Sequence, residues 1–474
     1  MPFEAIIGLE MHIEMKTKSK MFSSAPVSYG AKPNTMVSPA DMAFPGTMPI
    51  VNKQAVINAI RVCNALHMNI DHELWFDRKN YFYSDLPKGY QITQQLRPIG
   101  SLGYIDIKTS QGEKRIRIER LHIEEDTCKQ HHSNDCSLLD YNRAGIPLIE
   151  IVSMPDIRTG EEAMKYVEKM RSIVTYLDVS DGKMEEGSLR CDVNISIREI
   201  GSNEFGTKVE IKNLNSITNV QKAIDYEKKR QEQIILSGGV IGQETRRFDE
   251  AKKETVLMRI KTDTADYKCF TEPNLPPIRL SNEFIDEVIR TSPELAESKY
   301  ERYKTLGLSD YDCNQLLIDK DISNYFDEAL RSGASPKLLA NWIIVDIQSI
   351  LNKEDISIRE FKISPEKLGE LVILIEEGKV SNKQARDIFI KMLNSNKSPS
   401  ELIKEPGSEM VSDEVMIMAI VKETINENPQ AVIDYKNGKD RTVGFLVGQI
   451  MKKSNGKANP ALANKLVIEE LKRR

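Results

Sequence analysis

Ile6-Ile7-Gly8-Leu9-Glu10-Met11-His12-Ile13-Glu14-Met15-Lys16 alternates apolar and polar side chains along nearly its whole length. Because successive side chains of a β-strand point to opposite faces of a sheet, the alternation predicts a strand with one buried face. The polar face would carry Glu10, His12, Glu14 and Lys16. This face has two interpretations: it is the solvated side of an ordinary strand, or it is the floor of a functional site.

Two later stretches, 191–197 and 208–212, alternate in the same way and favour the second interpretation. If both belong to the same sheet as the first strand, one surface would collect several carboxylates together with a histidine, an amide and a lysine. The members of that surface would be Glu10, His12, Glu14, Asp192, Asn194, Lys208 and Glu210. An oxygen-rich surface of this kind suits a hard cation and a phosphate ligand.

The composition is that of an ordinary globular protein and bounds what the chain can do. A chain of 474 residues is expected to form about two to three domains of roughly 100 to 200 residues each. The formal net charge of -5 gives no general attraction for nucleic acid, so RNA binding would depend on local basic patches. The sequence has no Walker-type phosphate loop and no dinucleotide-binding glycine motif, so an acid-lined sheet would have to hold a nucleotide through magnesium.

The cysteines and the hydropathy pattern indicate where the protein works. The six cysteines are scattered without a C-x-x-C pair, which argues against zinc and against a disulfide framework. The N-terminus lacks the basic and apolar segments of a signal peptide, and no run reaches the roughly 18 apolar residues of a membrane span. We therefore expect a cytoplasmic protein with no membrane segment.

Residues 102–108 and 115–126 predict a hairpin whose second strand is irregular. Its apolar positions change parity, with Ile116 and Ile118 before the change and Leu121 and Ile123 after it. A β-bulge near Glu119-Arg120 would explain the change, and bulges are frequent beside active sites. The strand ends in three acids, Glu124-Glu125-Asp126, which indicate either a solvated loop or negative charge that a bound cation makes tolerable.

The remaining pattern indicates an α+β protein. Residues 53–66 and 160–177 predict helices, the second opened by Thr159 and Glu162 in capping-box spacing. The loop 180–190 between the second helix and the next strand is either a ligand loop or a plain connection. From about residue 290 onward, the apolar spacing predicts helices only.

Taken together, six segments of the chain resemble the B subunits of tRNA-dependent amidotransferases, and the resemblance covers essentially the whole sequence. The segments are Ile7-Gly8-Leu9-Glu10, Asp77 to Tyr83, Asn142 to Glu150, Met184 to Asp192, Glu210 to Ser216, and Gly444 to Pro460. The resemblance implies a cradle-shaped catalytic domain over residues 1–290, with an antiparallel sheet similar to that of glutamine synthetase. It also implies a helical domain over 291–408 and a small helical tail over 409–474 that binds tRNA.

The chemistry implied by the resemblance uses ATP and magnesium. Members of the family phosphorylate the side-chain carboxylate of glutamate or aspartate mischarged on tRNA, and ammonia then displaces the phosphate. The residues implied as catalytic, as metal ligands and as ammonia gate are Glu10, His12, Glu125 and Glu210. Those implied to contact ATP are Lys79, Glu186, Ser188, Arg190, Asp192, Asn194 and Lys208. Strand parity with His122 favours Glu124 over Glu125, and the choice between them stays open here.

The resemblance also implies partners. The family works as a heterotrimer in which the A subunit, an amidase, makes ammonia from glutamine, and the C subunit is small. This chain shows no amidase serine-lysine pair and no glutaminase cysteine signature, so it would depend on such an amidase. Many members have a cysteine pair where this chain reads Ser38-Pro39-Ala40-Asp41, so no zinc is expected. Two other functions stay open: a non-catalytic tRNA-binding subunit with a structural cation, and a ligase that acts on a free small carboxylate.

Overall fold

The structure is a computed structural model. It describes residues 3–260, 267–395, 397–404, 414–436, 439, 441–454 and 458–474. The chain divides into two compact units, Met1–Leu295 and Ala296–Arg474. Strands occur in the first unit, whereas the described secondary structure of the second unit is helical, so the α+β prediction is confirmed.

The first unit is built around one large sheet. Its strands, with those of three small accessory sheets, are β1 Phe3–Glu14, β2 Asn69–Ile70, β3 Glu73–Leu74, β4 Asp77–Asn80, β5 Tyr90–Thr93, β6 Gly100–Thr109, β7 Gly112–Glu125, β8 Lys129–His132, β9 Ser137–Asp140, β10 Pro147–Ser153, β11 Leu189–Glu199, β12 Val209–Lys212, β13 Glu244–Asp249, β14 Glu254–Ile260, β15 Phe270–Thr271 and β16 Ile278–Arg279. In the described part of the chain, nine strands form the large sheet in the order β14-β13-β12-β11-β1-β10-β7-β6-β2.

Neighbouring strands of the large sheet run antiparallel, as predicted, with one exception. β12 and β13 are parallel. A parallel pair needs a crossover connection, and the helix Ile217–Leu236 provides it between these two strands. The sequence pattern did not reveal this pairing, because strand direction is set by the connection and not by the alternation of side chains.

The first strand lies in the middle of the sheet, and the predicted alternation is confirmed. Its apolar side chains Ile7, Leu9, Met11 and Ile13 are 0% exposed. They belong to a single hydrophobic core together with residues of the helices that cover this face of the sheet. The opposite face is therefore left to the polar side chains of the same strand.

The predicted bulge is also found. Val152 of β10 pairs with Arg120 of β7, but the next residue, Ser153, pairs with Ile118, so Glu119 is the extra residue. The bulge keeps the apolar residues before and after it on the core face although their parity changes. As a consequence, Arg120, His122 and Glu124 all point to the polar face of the sheet.

Four helices belong to the first unit: α1 Lys53–Ala65, α2 Gly160–Tyr176, α3 Ile217–Leu236 and α4 Asn282–Arg290. The Thr159 hydroxyl accepts a hydrogen bond from the Glu162 N–H at 3.1 Å, which confirms the predicted cap of α2. The Glu162 carboxylate accepts from the N–H of Arg158 instead of Thr159, so the capping box is only half formed.

The second unit consists of helices. They are α5 Ala296–Thr305, α6 Asp310–Leu316, α7 Lys320–Leu330, α8 Pro336–Asn341, a π-helical segment Trp342–Ile347, α9 Gln348–Glu354, a 3-10 turn Ile358–Glu360, α10 Pro365–Glu376, α11 Asn382–Asn394, α12 Pro399–Ile403, α13 Glu414–Glu427, α14 Pro429–Lys436, α15 Arg441–Lys453 and α16 Pro460–Arg473. Hydrophobic side chains form two clusters, one within 303–402 and one within 417–471. Of the described helices, none is both long enough and apolar enough to span a lipid bilayer.

Two of the sequence predictions fall on residues that are not described. The predicted boundary between residues 408 and 409 lies outside the described residues, as does the centre of the basic turn, residues 455–457. The division of the helical part into two domains therefore stays a prediction.

Candidate functional site

The register of the large sheet aligns polar side chains in rows across its open face. Residues that lie directly opposite each other on neighbouring strands point to the same face. The first row is Arg120, Val152, Glu10 and Asp192; the second row is His122, Glu150, His12 and Arg190; the third row is Glu124, Leu148 and Glu14. The predicted polar surface therefore exists, and it is wider than the sequence indicated because β7 and β10 contribute to it.

A compact group of metal-binding side chains lies at the centre of this face. His12 Nε2 is 3.5 Å from Glu150 Oε2 and 3.8 Å from Glu124 Oε1. In the described residues, these three are the group of His, Cys, Asp or Glu side chains whose ligand atoms all lie within 4.8 Å of one another. Glu124 is buried, whereas His12 and Glu150 are half-buried, so the group faces the open side of the sheet.

His122 braces the two carboxylates from the side. Its Nε2 is 3.0 Å from Glu150 Oε2 and 3.5 Å from Glu124 Oε2. Burial alone would lower the pKa of His122, but its hydrogen bonds to the two glutamates outweigh burial and raise the pKa to about 9. For Glu150, burial would raise the pKa, yet the hydrogen bonds to His12 and His122 hold it well below the ordinary value. Both carboxylates are therefore held in fixed positions by imidazole groups.

The donor set of this group fits a divalent cation. Carboxylate oxygens are the usual protein ligands of magnesium, and an imidazole nitrogen suits manganese and similar ions as well. A ligating histidine and a bracing second histidine form the kind of outer shell that fixes ligand orientation. The geometry supports one cation held by His12, Glu124 and Glu150.

Glu10 and Glu210 lie on the same face but on neighbouring parts of it. The Glu10 carboxylate accepts a hydrogen bond from Asn194 Nδ2 at 2.8 Å, and Asn194 is paired directly with Glu210 across β11 and β12. Lys212 Nζ bridges Asp192 at 2.6 Å and Glu210 at 3.1 Å. The two carboxylates thus converge on one surface, although the backbones of β1 and β12 are two strand spacings, roughly 10 Å, apart.

Glu125 is not brought into the group around His12. Its side chain lies 2.6 Å from Lys88 Nζ and accepts a hydrogen bond from the Ile92 N–H at 3.0 Å. Glu124 lies beside His12 instead, because it is two residues from His122 and a strand places such residues on the same face. The parity argument therefore describes the placement of the two glutamates, and the role of Glu125 as a ligand stays a prediction.

Glu14 marks the far end of the polar face. Burial and the neighbouring carboxylate of Asp126 raise the pKa of Glu14 to about 8. Arg190, which lies opposite His12 on β11, donates a hydrogen bond to Asp126 at 3.0 Å. This end of the face thus carries a carboxyl group that holds a proton near neutral pH beside an ion pair.

The remaining predicted ATP contacts are distributed around this face. Lys79 on β4 is half-buried, and its Nζ lies 5.0 Å from the ring centroid of Tyr267. Glu186 pairs with Lys183 at 2.7 Å, and the Ser188 hydroxyl donates a hydrogen bond to Asp181. These contacts order the loop between α2 and β11, so Glu186 and Ser188 lie beyond Glu14 and away from Glu10.

Two cavities adjoin the polar face, one at each end. The cavity at the Glu10 end has a volume of about 400 Å³ and is lined by Glu10, Glu119, Arg120, Val152, Ser153, Asn194, Ser196, Phe205 and Lys208 among others. The cavity at the Glu14 end has a volume of about 780 Å³ and is lined by Glu14, Lys16, Lys18, Tyr29, Asn52, Asp181, Glu186 and Ser188 among others. The predicted ATP contacts are therefore divided between two separate spaces.

Sequence reasoning missed Glu150, His122 and Arg120 as members of the site. Glu150 interrupts an almost continuous apolar strand, and a lone acid there was a signal that could have been used. His122 and Arg120 follow from the same parity count that favoured Glu124. What the sequence could not supply was the pairing of β7 with β10, which brings these side chains beside His12.

Comparison with known proteins gives consistent matches over the chain. A sequence model described as the GatB/GatE catalytic domain matches residues 5–286, and one described as the GatB domain matches residues 324–471. The chain is 49% identical to the B subunit of the aspartyl/glutamyl-tRNA(Asn/Gln) amidotransferase from Lysinibacillus sphaericus. It is 50% identical to the protein of the same name from Bacillus licheniformis, and both alignments cover 100% of either chain.

Proposed function

The chain belongs to the family of B subunits of aspartyl/glutamyl-tRNA(Asn/Gln) amidotransferases, and we propose from this membership and the geometry of the sheet that it activates a carboxylate with ATP. The substrate is the side-chain carboxylate of glutamate or aspartate mischarged on tRNA. A carboxylate oxygen attacks the γ-phosphorus of ATP, the bond to ADP breaks, and an acyl phosphate forms. Ammonia then attacks the carbonyl carbon, phosphate leaves, and the nitrogen loses a proton to give the amide.

The observation that carries the proposal is the group formed by His12, Glu124 and Glu150 on an acid-lined sheet face. Phosphoryl transfer depends on positioning and on neutralising the charge of the phosphate oxygens. The chain contains no Walker-type phosphate loop, so the neutralising cation must be held by side chains. A bound magnesium ion would supply this charge and orient the phosphates.

Further residues of the face have roles in this proposal. Glu10, fixed by Asn194, and Glu210, fixed by Lys212, add carboxylates that can hold the cations accompanying the nucleotide. We propose Asn194, Asp192 and Lys208 as contacts to ATP on the Glu10 side. Lys79 and Arg190 supply positive charge near the acids of β7, which suits an anionic intermediate.

The ammonia comes from another protein in this proposal. The relatives are named as one lettered member of a multi-subunit amidotransferase, which supports assembly with further chains. We propose that an amidase releases ammonia from glutamine and that a small third protein joins the two in a heterotrimer. The pair Lys88 and Glu125, 2.6 Å apart beside the acid run, is a suitable gate, because ammonia that passes it would reach the acyl phosphate next to Glu124.

Recognition of tRNA is proposed for the helical tail, and the protein is proposed to act in the cytoplasm. Lys452 and Lys453 end α15, and Lys472 and Arg473 end α16. Cations of this kind bind phosphates without reading sequence. They would hold the body of the tRNA while its charged end reaches the sheet.

The test is an amidation assay on the chain assembled with its partner proteins. ATP hydrolysis and amide formation are measured with ammonium chloride as nitrogen donor, with Glu-tRNA(Gln), Asp-tRNA(Asn) or no tRNA. We expect ATP hydrolysis that depends on mischarged tRNA in the wild type, and loss of amidation without loss of tRNA binding in Glu10→Ala and Glu210→Ala. Glu113→Ala, which changes an exposed glutamate of β7, should behave like the wild type.

Each alternative function predicts a different result in the same assay. Amidation that proceeds in the wild type without ATP hydrolysis, or wild-type turnover in both variants, would refute the proposal. A non-catalytic protein would bind tRNA without any ATP-dependent step. A ligase for small carboxylates would hydrolyse ATP with free glutamate and without tRNA.

A further inference from the structure

The two cavities lie on opposite sides of the candidate metal group. One is bounded by Glu10 and the other by Glu14, and His12 lies between these two residues on the same face of β1. A strand rises roughly 3.3 Å per residue, so about 13 Å separates the two glutamates along the strand. Both volumes fall within the range of roughly 300 to 1,000 Å³ that is typical of ligand sites.

Phosphoryl transfer has a geometric requirement that this arrangement meets. The attacking and leaving oxygens lie in line on opposite sides of the transferred phosphorus. Donor and acceptor must therefore approach the cation from two sides. We propose that the polyphosphate of ATP occupies the cavity at the Glu10 end and that the aminoacylated 3′-terminal nucleotide of the tRNA occupies the cavity at the Glu14 end. This assignment rests on the proposed function and specifies how its two substrates divide the site.

Arg120 favours the Glu10 end as the place of the polyphosphate. The bulge at Glu119 directs Arg120 to the polar face, where its ion-pair contact is a long one, 3.7 Å from Nη1 to Glu119 Oε1. Its Nε is buried and has no hydrogen-bond partner in the described part of the chain. A buried donor without an acceptor is costly, so a ligand oxygen at this position would be stabilising.

The other walls of the Glu10 cavity also suit a nucleoside triphosphate. Lys208 is exposed and supplies a second cation at the same cavity. An arginine fork binds phosphate oxygens in pairs, and a lysine adds a point charge. The ring of Phe205 is 67% exposed at the rim of the cavity, where it can stack on a base.

The Glu14 cavity has the features of a site for a single-stranded RNA end. Tyr29 lines it and is 79% exposed, and exposed aromatic rings stack on unpaired bases. Lys16 and Lys18 line it as well, and neither has an ion-pair partner within the described ranges. Flexible lysines suit the phosphodiester of a chain that must leave the cavity again towards the tRNA body.

The assignment predicts that substitutions at the two ends affect different substrates. The assay uses the assembled complex with ammonium chloride, and KM is measured separately for ATP and for mischarged tRNA. Arg120→Gln should raise the KM for ATP by about tenfold or more, the loss typical of a hydrogen bond to a charged group, and leave the KM for tRNA unchanged. The double variant Lys18→Gln/Tyr29→Ala should raise the KM for tRNA and leave that for ATP unchanged.

Matched variants control for folding. Arg115→Gln removes a guanidinium of the same strand that pairs with Asp106 at 2.8 Å away from both cavities, and it should change neither KM. Arg120→Lys should give an intermediate KM for ATP, and Tyr29→Phe should keep the KM for tRNA. These two conservative variants decide the question should Arg120→Gln or the double variant fail to assemble.

The possible outcomes separate this inference from the proposed function. If the wild-type complex showed no ATP-dependent amidation, the proposed function itself would fail. With an active wild type, the assignment is overturned if the two sets of variants change the KM of the opposite substrate, of both substrates or of neither.

Discussion

His12 on β1 and Glu150 on β10 lie directly opposite each other, and His12 Nε2 is 3.5 Å from Glu150 Oε2. Glu150 is the only charged residue of its strand, whose other members are apolar apart from one serine. A carboxylate in the centre of an apolar strand is costly unless it is paired. The pairing with two histidines makes this position tolerable and at the same time creates a ligand set.

The first prediction concerns Glu150. Glu150→Gln keeps the size of the side chain but removes the anionic oxygens, so the cation should bind more weakly. We expect the magnesium concentration needed for half-maximal amidation to rise by at least about tenfold. The measurement is a magnesium titration of the ammonium-dependent reaction, with Glu113→Gln as control. An unchanged titration curve would remove Glu150 from the metal site.

The second prediction compares the neighbours Glu124 and Glu125. Glu124 lies with His12, whereas Glu125 lies with Lys88. Glu124→Gln should therefore weaken the dependence on magnesium, and Glu125→Gln should leave it unchanged. Breaking the pair with Lys88 should instead lower glutamine-dependent amidation more than ammonium-dependent amidation. The reverse pattern would show that the ligand implied by the family resemblance is correct.

Much of the sheet could be predicted from sequence, because alternation is a local property. The strands around Glu10, Asp192 and Glu210 follow from it, and the parity change in β7 located the bulge at Glu119. Partner strands are not a local property. The neighbours of β1 are β10 and β11, far away in the sequence, so the contact of His12 with Glu150 could not be derived from any single stretch.

The third prediction concerns tRNA. Removing residues 409–474 should weaken tRNA binding, and the logarithm of the binding constant should depend less steeply on the logarithm of the salt concentration. Filter binding of the assembled complex at several salt concentrations measures both quantities. In the full chain, Lys465→Gln/Lys472→Gln should reduce the salt slope by about one for each phosphate that is no longer bound. Equal slopes for the truncated and full-length proteins would place tRNA recognition elsewhere.

The fourth prediction concerns the helical unit, where Asp327 joins three side chains. Its carboxylate accepts hydrogen bonds from Arg302 at 2.9 Å and from the Tyr303 hydroxyl at 3.0 Å, and Lys299 Nζ lies 2.9 Å away. Burial would raise the pKa of Asp327, but the hydrogen bonds from Arg302 and Lys299 outweigh it and lower the pKa. Asp327→Asn should therefore lower the free energy of unfolding of this unit by about 2 kcal/mol at pH 7.

The pH dependence of that loss is a separate check. A carboxylate whose folded pKa lies below its unfolded value stabilises the protein at pH values above the unfolded value, and the effect is lost as the pH falls through the folded pKa. The difference between wild type and Asp327→Asn should thus shrink below about pH 4. Urea unfolding in a Trp75→Phe background reports this unit through Trp342, which is 8% exposed. A difference that stays constant down to pH 3 would exclude Asp327 as its source.

The last prediction concerns the long connection between β1 and α1, which contains Ser38-Pro39-Ala40-Asp41. Lys20 and Asp41 form an ion pair there, 3.3 Å apart, with 0% and 4% of their side chains exposed. Asp41 also accepts hydrogen bonds from the Ser23 hydroxyl and the Ser38 N–H, both at 2.8 Å. Many related B subunits have a cysteine pair at this position, whereas here a buried pair of charges links the two ends of the connection.

Removing one partner of a buried pair leaves the other charge uncompensated. Lys20→Met should therefore lower the free energy of unfolding by about 3 to 5 kcal/mol, and Asp41→Asn should also be destabilising. The double variant should lose less than the sum of the single losses, because neither charge is then left alone. Urea unfolding in a Trp342→Phe background, followed through Trp75, gives these free energies for the sheet unit. Strictly additive losses would mean that the pair contributes no coupling, and the connection would then be held by its hydrogen bonds alone.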